Sequence, residues 1–150
     1  MSHTVRVEDV QGRPLAVVRR RASAGELKTV VPAACGEVWT AIKAQNVAGA
    51  GRHVALDLDG AITLEVGVEI PAAFAGTADL LRSATPAGRV AAVTHMGSYD
   101  GLHDAHQAIH IYCRQHGHAL AGPNWEIYGH WTDDPSQVRT DVFYLLKASS

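Results

Sequence analysis

The same succession of patterns occurs twice along the chain, and this repeat limits the possible folds more than any other feature of the sequence. The first half reads as a strand, PLAVVRR, a helical stretch from Ala33 to Val47, and two alternating strands, HVALDLD and AITLEVGVEI. The second half gives a strand, GRVAAVTHMG, a helix, SYDGLHDAHQAIHIYCRQHG, and two strands, NWEIYGHW and VRTDVFYLL. Self-similarity at a fixed spacing is the signature of a duplicated structural unit. We therefore predict two copies of a strand–helix–strand–strand unit, at about residues 14–70 and 88–146.

Each predicted helix has local signals at its ends. Pro32 stands at the start of the first helix, where proline is tolerated. Ser98 is a candidate cap for the second helix, and Gly117 is a candidate stop. A further short strand, VRVEDV, precedes the first copy.

The repeat predicts an α+β fold with pseudo-two-fold symmetry. Each copy has one helix, which covers one face of its strands, so two copies side by side place both helices on one face of antiparallel sheets. The other face is then left as a concave ligand cleft between the copies. The 150 residues match one domain, and we expect a single domain over residues 1–150.

Alternation along the strands predicts which side chains face the helices, because successive strand side chains point to opposite faces. An overlay of the copies aligns Val54 and Leu56 with Trp125 and Ile127, and we predict that these apolar side chains pack under the helices. The alternate positions are then predicted to lie on the open face: Glu126, Tyr128, His130, Asp141, Phe143 and Leu145.

The predicted open face has the composition of a binding site. An apolar concavity with a few polar groups is typical of small-molecule sites, and Phe143 and Leu145 are predicted as its wall, with a second small core as the alternative. Glu65, Glu69 and Asp141 are expected on the same face, either adding negative potential that favours cations or lying at a wet rim.

Charge and cysteine content narrow the function classes. The 13 Lys and Arg residues are balanced by 15 Asp and Glu, so nothing indicates a nucleic-acid-binding surface. No segment approaches the roughly 20 apolar residues of a membrane helix, and the N-terminus lacks the apolar core of a signal peptide. Cys35 and Cys113 form no CxxC motif, so we predict free thiols and a reducing, cytoplasmic location.

The histidines do not indicate a metal site. His103, His106 and His110 lie at i, i+3 and i+7 on one helix face. Zinc sites need a definite ligand set with supporting groups, and the chain has no HExxH motif. We interpret these histidines as a polar, solvated helix face and predict neither a metal nor a cofactor.

The second half also resembles a known family. The stretch VTHMGSYDGLHDAHQAIHIYCRQHG, followed by GPNWEIY, DP and RTDVFYLL, is similar to the GyrI-like small-molecule-binding domain, which is also the effector-binding part of multidrug-responsive bacterial transcription activators. The resemblance covers essentially the whole chain and is strongest from His95 to Leu146. It implies a duplicated module with a ligand cleft between the two copies.

The resemblance also implies roles for particular residues. The buried glutamate that meets hydrophobic cations in the family matches Glu126, and the tyrosine of H-x-G-x-Y matches Tyr99. Trp39 lies on the first helix and is either core or a family-like aromatic lid. Only about a dozen residues precede Pro14, so we expect no DNA-binding domain.

The resulting functional hypothesis is a stand-alone protein that binds hydrophobic, cationic small molecules. A carboxylate on an apolar face loses hydration, which raises its pKa, and a cationic ligand restores the charged form. The alternative is a small hydrolase that opens strained, cyclopropane-bearing toxins with Glu126 as the catalytic group. Inhibition of a topoisomerase, the third activity of the family, has no acidic DNA-like surface to support it. We expect no direct contact with nucleic acid or membrane.

Overall fold

The computed structural model describes residues 3–22, 26–47, 49–58, 63–71, 76, 80–129 and 132–148. They form one eight-stranded antiparallel sheet and two α-helices, which confirms the predicted α+β class. The predicted orientation of His130 lies outside the described residues.

The strands and helices follow one another as the repeat predicts, with one strand added. The strands are β1 (Arg6–Val10), β2 (Pro14–Arg21), β3 (His53–Asp57), β4 (Thr63–Glu69), β5 (Leu81–Ala84), β6 (Gly88–Met96), β7 (Leu120–Tyr128) and β8 (Arg139–Leu146). The helices are α1 (Leu27–Ala44) and α2 (Leu102–His116), and a 3₁₀ turn, Tyr99–Gly101, leads into α2. The added strand, β5, lies in the stretch interpreted as a connection.

The two halves have the same order of elements and of strands. The strand order in the sheet is β1-β6-β8-β7-β3-β4-β2-β5. Leaving aside the edge strands β1 and β5, each half places its first strand outermost (β6 or β2), its third strand next (β8 or β4) and its second strand at the centre (β7 or β3). The halves join where β3 and β7 pair antiparallel, with Ala55 opposite Glu126. The middle of the sheet is therefore built from the second strand of each half.

The helix ends differ in detail from the prediction. Helix α1 begins at Leu27, so Pro32 lies inside it. Val30 and Val31 of this added segment pack against the core, and their burial offsets the hydrogen bond that the proline cannot donate. Gly117 ends α2 in the left-handed conformation, as predicted, whereas Ser98 makes no capping hydrogen bond with its side chain.

Both helices lie on the same face of the sheet. Helix α1 buries Ala34, Val38 and Ile42 against β2, β3 and β4. Helix α2 buries Ala105, Ile109 and Cys113 against β6 and β8. Because each helix covers its own half, the central strands β3 and β7 lie between the two helices.

The helix-free face has a core of its own, and the prediction for the central strands is wrong there. Val54, Leu56, Trp125 and Ile127 pack with Leu15, Val17, Val90 and Ala92 in a cluster that contains no helix residue. The alternate positions Ala55 and Tyr128 pack against the α1 cluster instead. Alternation correctly separates the two faces, but both faces of the central strands are buried, so hydrophobicity does not identify the one that carries the helices.

Candidate small-molecule site

Both halves contribute residues around Glu126 on the helix-bearing face: Ala55 of β3 lies opposite it, and His106 of α2 contacts its carboxylate. We name the surface formed by Trp39, His53, Tyr99, His106, Glu126 and Tyr128 the interhelix groove. Its floor is the β3–β7 pair, where the small side chain of Ala55 lies opposite Glu126. Of the other residues named, Trp39 belongs to α1, His106 to α2 and Tyr99 to the 3₁₀ turn before α2.

Glu126 is held from two sides at the floor of the groove. The Tyr128 hydroxyl donates to its Oε1 at 2.6 Å, and His106 Nε2 lies 2.6 Å from its Oε2. The side chains of Glu126 and His106 remain 18% and 24% exposed. The carboxylate is thus sheltered and hydrogen-bonded while it stays within reach of a molecule in the groove.

The environment of Glu126 lowers the pKa of its carboxyl group. Burial by itself raises the pKa, but the hydrogen bond and charge interaction with His106 and the hydrogen bond from Tyr128 outweigh it. The expectation of a raised pKa is therefore wrong. Glu126 is a carboxylate at neutral pH, with its negative charge directed towards the groove.

His106 is itself fixed by a tyrosine of β8. Its Nδ1 lies 2.6 Å from the Tyr144 hydroxyl. Burial, Glu126 and Asp57 raise the pKa of Tyr144, so this hydroxyl stays protonated. A chain of hydrogen bonds therefore runs from Tyr144 through His106 and Glu126 to Tyr128.

Two aromatic side chains of the groove, Tyr128 and Tyr99, lie near the carboxylate, and a third, Trp39, lies beside His53. The rings of Tyr99 and Tyr128 meet edge to face at 5.9 Å, and Trp39 lies 6.4 Å from the ring of His53. Trp39 and Tyr99 are 50% and 53% exposed, which is high for large apolar rings. Lys43 Nζ lies 5.8 Å from the Trp39 ring, so the indole already contacts one cation.

Two predicted wall residues lie elsewhere. Phe143 and Leu145 pack against the helix-free cluster, and the Phe143 ring stacks on Trp125 at 5.4 Å. The sheet register explains this placement, because Glu126 lies opposite Val142 and Trp125 lies opposite Phe143. The prediction that Phe143 and Leu145 share a face with Glu126 is wrong; the alternative, a second core, describes them.

The additional carboxylates also lie away from Glu126. Glu65 pairs with Arg19 at 2.6 Å, and Glu69 pairs with Arg52 at 2.8 Å. Asp141 lies 3.2 Å from an Arg139 nitrogen. They line the helix-free face, where they are neutralised by arginines, so the prediction that they share the face of Glu126 is wrong.

The helix-free face also holds a cavity of about 550 Å³. Trp125, Ile127 and Phe143 form its apolar part, and arginines paired with carboxylates form its rim. At this rim Arg52 is paired with Glu69 and Arg139 with Asp141.

Sequence reasoning missed His106 as a site residue, although the repeat contains the signal. Aligning EVWTAIKAQ with DAHQAIHIY places His106 at the position of Trp39. Both side chains face the groove, one from each helix. Within the described residues, no three His, Cys, Asp or Glu side chains are grouped to hold a metal ion.

The cysteines give a simple chemical test of the arrangement. Both are free thiols, as predicted. Burial raises the pKa of each thiol, but Cys35 is half-buried beside Tyr99 and Tyr128, whereas Cys113 is only 3% exposed. We expect a thiol reagent to modify Cys35 alone in the native protein and both cysteines after denaturation; fast native reaction of Cys113 would contradict the packing of α2.

Comparison with known proteins identifies a family. A family model described as "GyrI-like small molecule binding domain" matches residues 3–147. No curated protein matches the chain in sequence. Among the described residues, neither helix has the length and apolar character needed to span a bilayer.

Solved structures share the fold at low sequence identity. The EcmrR C-terminal domain has a TM-score of 0.78 and 15% identity, over 99% of this chain and 100% of that one. SAV2435 bound to tetraphenylphosphonium has a TM-score of 0.64 and 13% identity, over 98% and 94% of the two chains. A hydrolase encoded by lin2189 from Listeria innocua has a TM-score of 0.63 and 12% identity, over 95% and 91%.

Proposed function

The chain belongs to the GyrI-like small-molecule-binding domain family, and we propose that it binds hydrophobic, cationic small molecules in the interhelix groove. Glu126 supplies the negative charge, and Trp39, Tyr99 and Tyr128 supply aromatic surface. The protein acts as a cytoplasmic buffer of such molecules or presents them to a protein partner.

The observation that carries the proposal is the sheltered carboxylate between half-exposed aromatic rings. An anion held in a region of low dielectric attracts a cation more strongly than one in open water. Aromatic faces add about 0.5–2 kcal/mol for each cation contact. Tetraphenylphosphonium, which combines a delocalised positive charge with four phenyl rings, is bound by the structural neighbour SAV2435 and is therefore the first ligand to try.

Removal of the Trp39 ring is expected to weaken binding of tetraphenylphosphonium roughly 2- to 30-fold, the equivalent of one cation–π contact. Isothermal titration of Trp39→Ala measures the loss. Ile111→Ala is a matched control, because Ile111 is also half-exposed on a helix, at 48% against 50% for Trp39. Equal affinity of the Trp39→Ala variant and the wild type would remove Trp39 from the site.

A hydrolase acting on strained, cyclopropane-bearing molecules is the second candidate. The His106–Glu126 pair favours it, because a carboxylate bonded to an imidazole can accept a proton from water and return it to the opened ring. Mass spectrometry separates the two functions: a hydrolase converts such a compound to a product heavier by one water, whereas a binding protein releases it unchanged.

A further inference from the structure

We propose that His106 is the specificity-determining residue of the groove, admitting cations when it is neutral and excluding them when it is protonated. This inference rests on the proposed function. Since His106 touches Oε2 of Glu126, its charge decides whether the groove presents a net negative charge or a closed ion pair to a ligand.

The tyrosines leave His106 as the switchable partner of Glu126. Burial, and to a smaller extent the neighbouring Glu126, raise the pKa of Tyr128 far above its usual range. The Tyr128 hydroxyl therefore keeps its proton and donates its hydrogen bond at all physiological pH values. Burial raises the pKa of the Glu126 carboxyl group, but the hydrogen bond and charge of His106 and the hydrogen bond from Tyr128 lower it, so Glu126 stays ionised while His106 is protonated and the two then form an ion pair. Of the two groups that touch the Glu126 oxygens, only imidazole normally changes charge in the physiological pH range.

Tyr144 permits both charge states of His106 without a change of fold. A hydroxyl is both donor and acceptor. When His106 is neutral, Tyr144 donates to Nδ1 and Nε2–H donates to Glu126; when His106 is protonated, Nδ1–H donates to the Tyr144 oxygen instead. The same heavy-atom distances, 2.6 Å on either side, serve both states. Titration therefore changes the charge of the groove and leaves its hydrogen bonds in place.

Other titratable groups border this network and have to be separated from His106. They are Tyr99 on the 3₁₀ turn, Tyr128 on β7, Cys35 and Lys43 on α1, His53 and Asp57 on β3, Tyr144 on β8, His95 on β6 and His110 on α2. The tyrosines and Cys35 have raised pKa values and stay neutral. His95 is 6% exposed and contacts His3 and the Ser98 carbonyl, and His110 meets the Tyr144 ring at 4.9 Å.

The sign of the effect follows from linkage. A cation binds only to protein in which His106 is neutral. Binding to protein in which His106 is protonated therefore releases that proton. Affinity for a permanent cation then rises with pH, by at most about tenfold per pH unit when each bound cation displaces one proton. A neutral ligand of similar shape experiences no such competition, so its affinity changes little.

The test is calorimetric titration with tetraphenylphosphonium and with neutral triphenylphosphine oxide between about pH 5 and pH 8. We expect the affinity of the wild type for the cation to rise with pH over this range, at most about tenfold per pH unit, with proton release detected in buffers of different ionisation enthalpy. His106→Gln retains an N–H for Glu126 but does not titrate, so its cation affinity should be flat with pH. His110→Gln, one turn along α2, should keep the wild-type profile.

The outcomes separate this inference from the proposed function. No binding of the cation at pH 8 by the wild type would contradict the function itself. Binding at pH 8 without dependence on pH, or a slope that persists in His106→Gln and so belongs to His95 or another group, would overturn the role of His106. Should the variant fold poorly, NMR of the wild type decides: saturation with the cation must move the His106 titration midpoint to lower pH, and an unmoved midpoint contradicts the proposal.

Discussion

Glu126→Gln is expected to weaken binding of tetraphenylphosphonium at pH 8 by roughly 30-fold or more. Glutamine keeps the shape of the side chain and one acceptor oxygen but removes the charge that the cation meets on the groove floor. Loss of one partner of a desolvated charge pair costs about 2–5 kcal/mol, and 1.4 kcal/mol corresponds to about tenfold in affinity. Calorimetric titration of the wild type and the variant measures the difference.

The neutral ligand distinguishes charge from shape. Affinity for triphenylphosphine oxide should change little in Glu126→Gln, because that ligand brings no charge to the carboxylate. An equal loss for both ligands would mean that the substitution deforms the groove, and no loss for either would remove Glu126 from the site. If the protein hydrolyses strained rings, the same variant loses turnover while it still binds the uncharged substrate.

Stability of the same variant provides an independent check of the Glu126 environment. The pKa of Glu126 is lower in the folded protein than its ordinary value, so ionisation stabilises the fold above the unfolded-state pKa. That contribution disappears as the pH falls through the folded-state pKa. The wild type should therefore be more stable than Glu126→Gln at neutral pH, and the difference should shrink in acid.

The order of elements other than β5 was predictable from sequence, whereas the helix-bearing face was not. The pattern of strands depends on local alternation, which the sequence states directly at HVALD and WEIY. Which face receives the helices depends on how the sheet packs against itself. Trp125, the largest side chain of β7, is only 2% exposed, yet it lies on the helix-free face. Its burial therefore does not indicate which face of the sheet carries the helices.

The groove was predictable only where chemistry and family resemblance both point to the same residue. Glu126 is conspicuous because a carboxylate interrupts an aromatic strand, and Tyr99 follows from its motif. His106 is one of nine histidines in the chain, and only its distance to Glu126 makes it different. Register errors explain the rest: counting Phe143 as a neighbour of Glu126 required the pairing of β7 and β8 to be shifted by one residue, which moves every side chain to the other face.

Among the glycines of the described strands, we expect Gly67→Ala to cause the largest loss of stability. Gly67 lies in the middle of β4, between β3 and β2, and opposite Val17. A Cβ at this position would lie 1.9 Å from the Ala16 carbonyl oxygen and 2.7 Å from Val17 Cγ1. A backbone oxygen in a paired strand cannot move aside as a flexible side chain can, so β2 would have to separate from β4.

We expect Gly67→Ala to lose about 4 kcal/mol or more of the free energy of unfolding, a fall in Tm of about 10 °C or more for a chain of this size. Gly36→Ala is the matched control, because its Cβ meets nothing within 4 Å on the exposed side of α1. There the same methyl should raise stability by up to about 1 kcal/mol, since alanine is the better helix former. Thermal melts of the two variants thus move in opposite directions. If Gly67→Ala has the same Tm as the wild type, β2 does not approach β4 as closely as described. The pairing register of β2 with β4 would then be wrong, and with it the position of β2 in its half of the sheet.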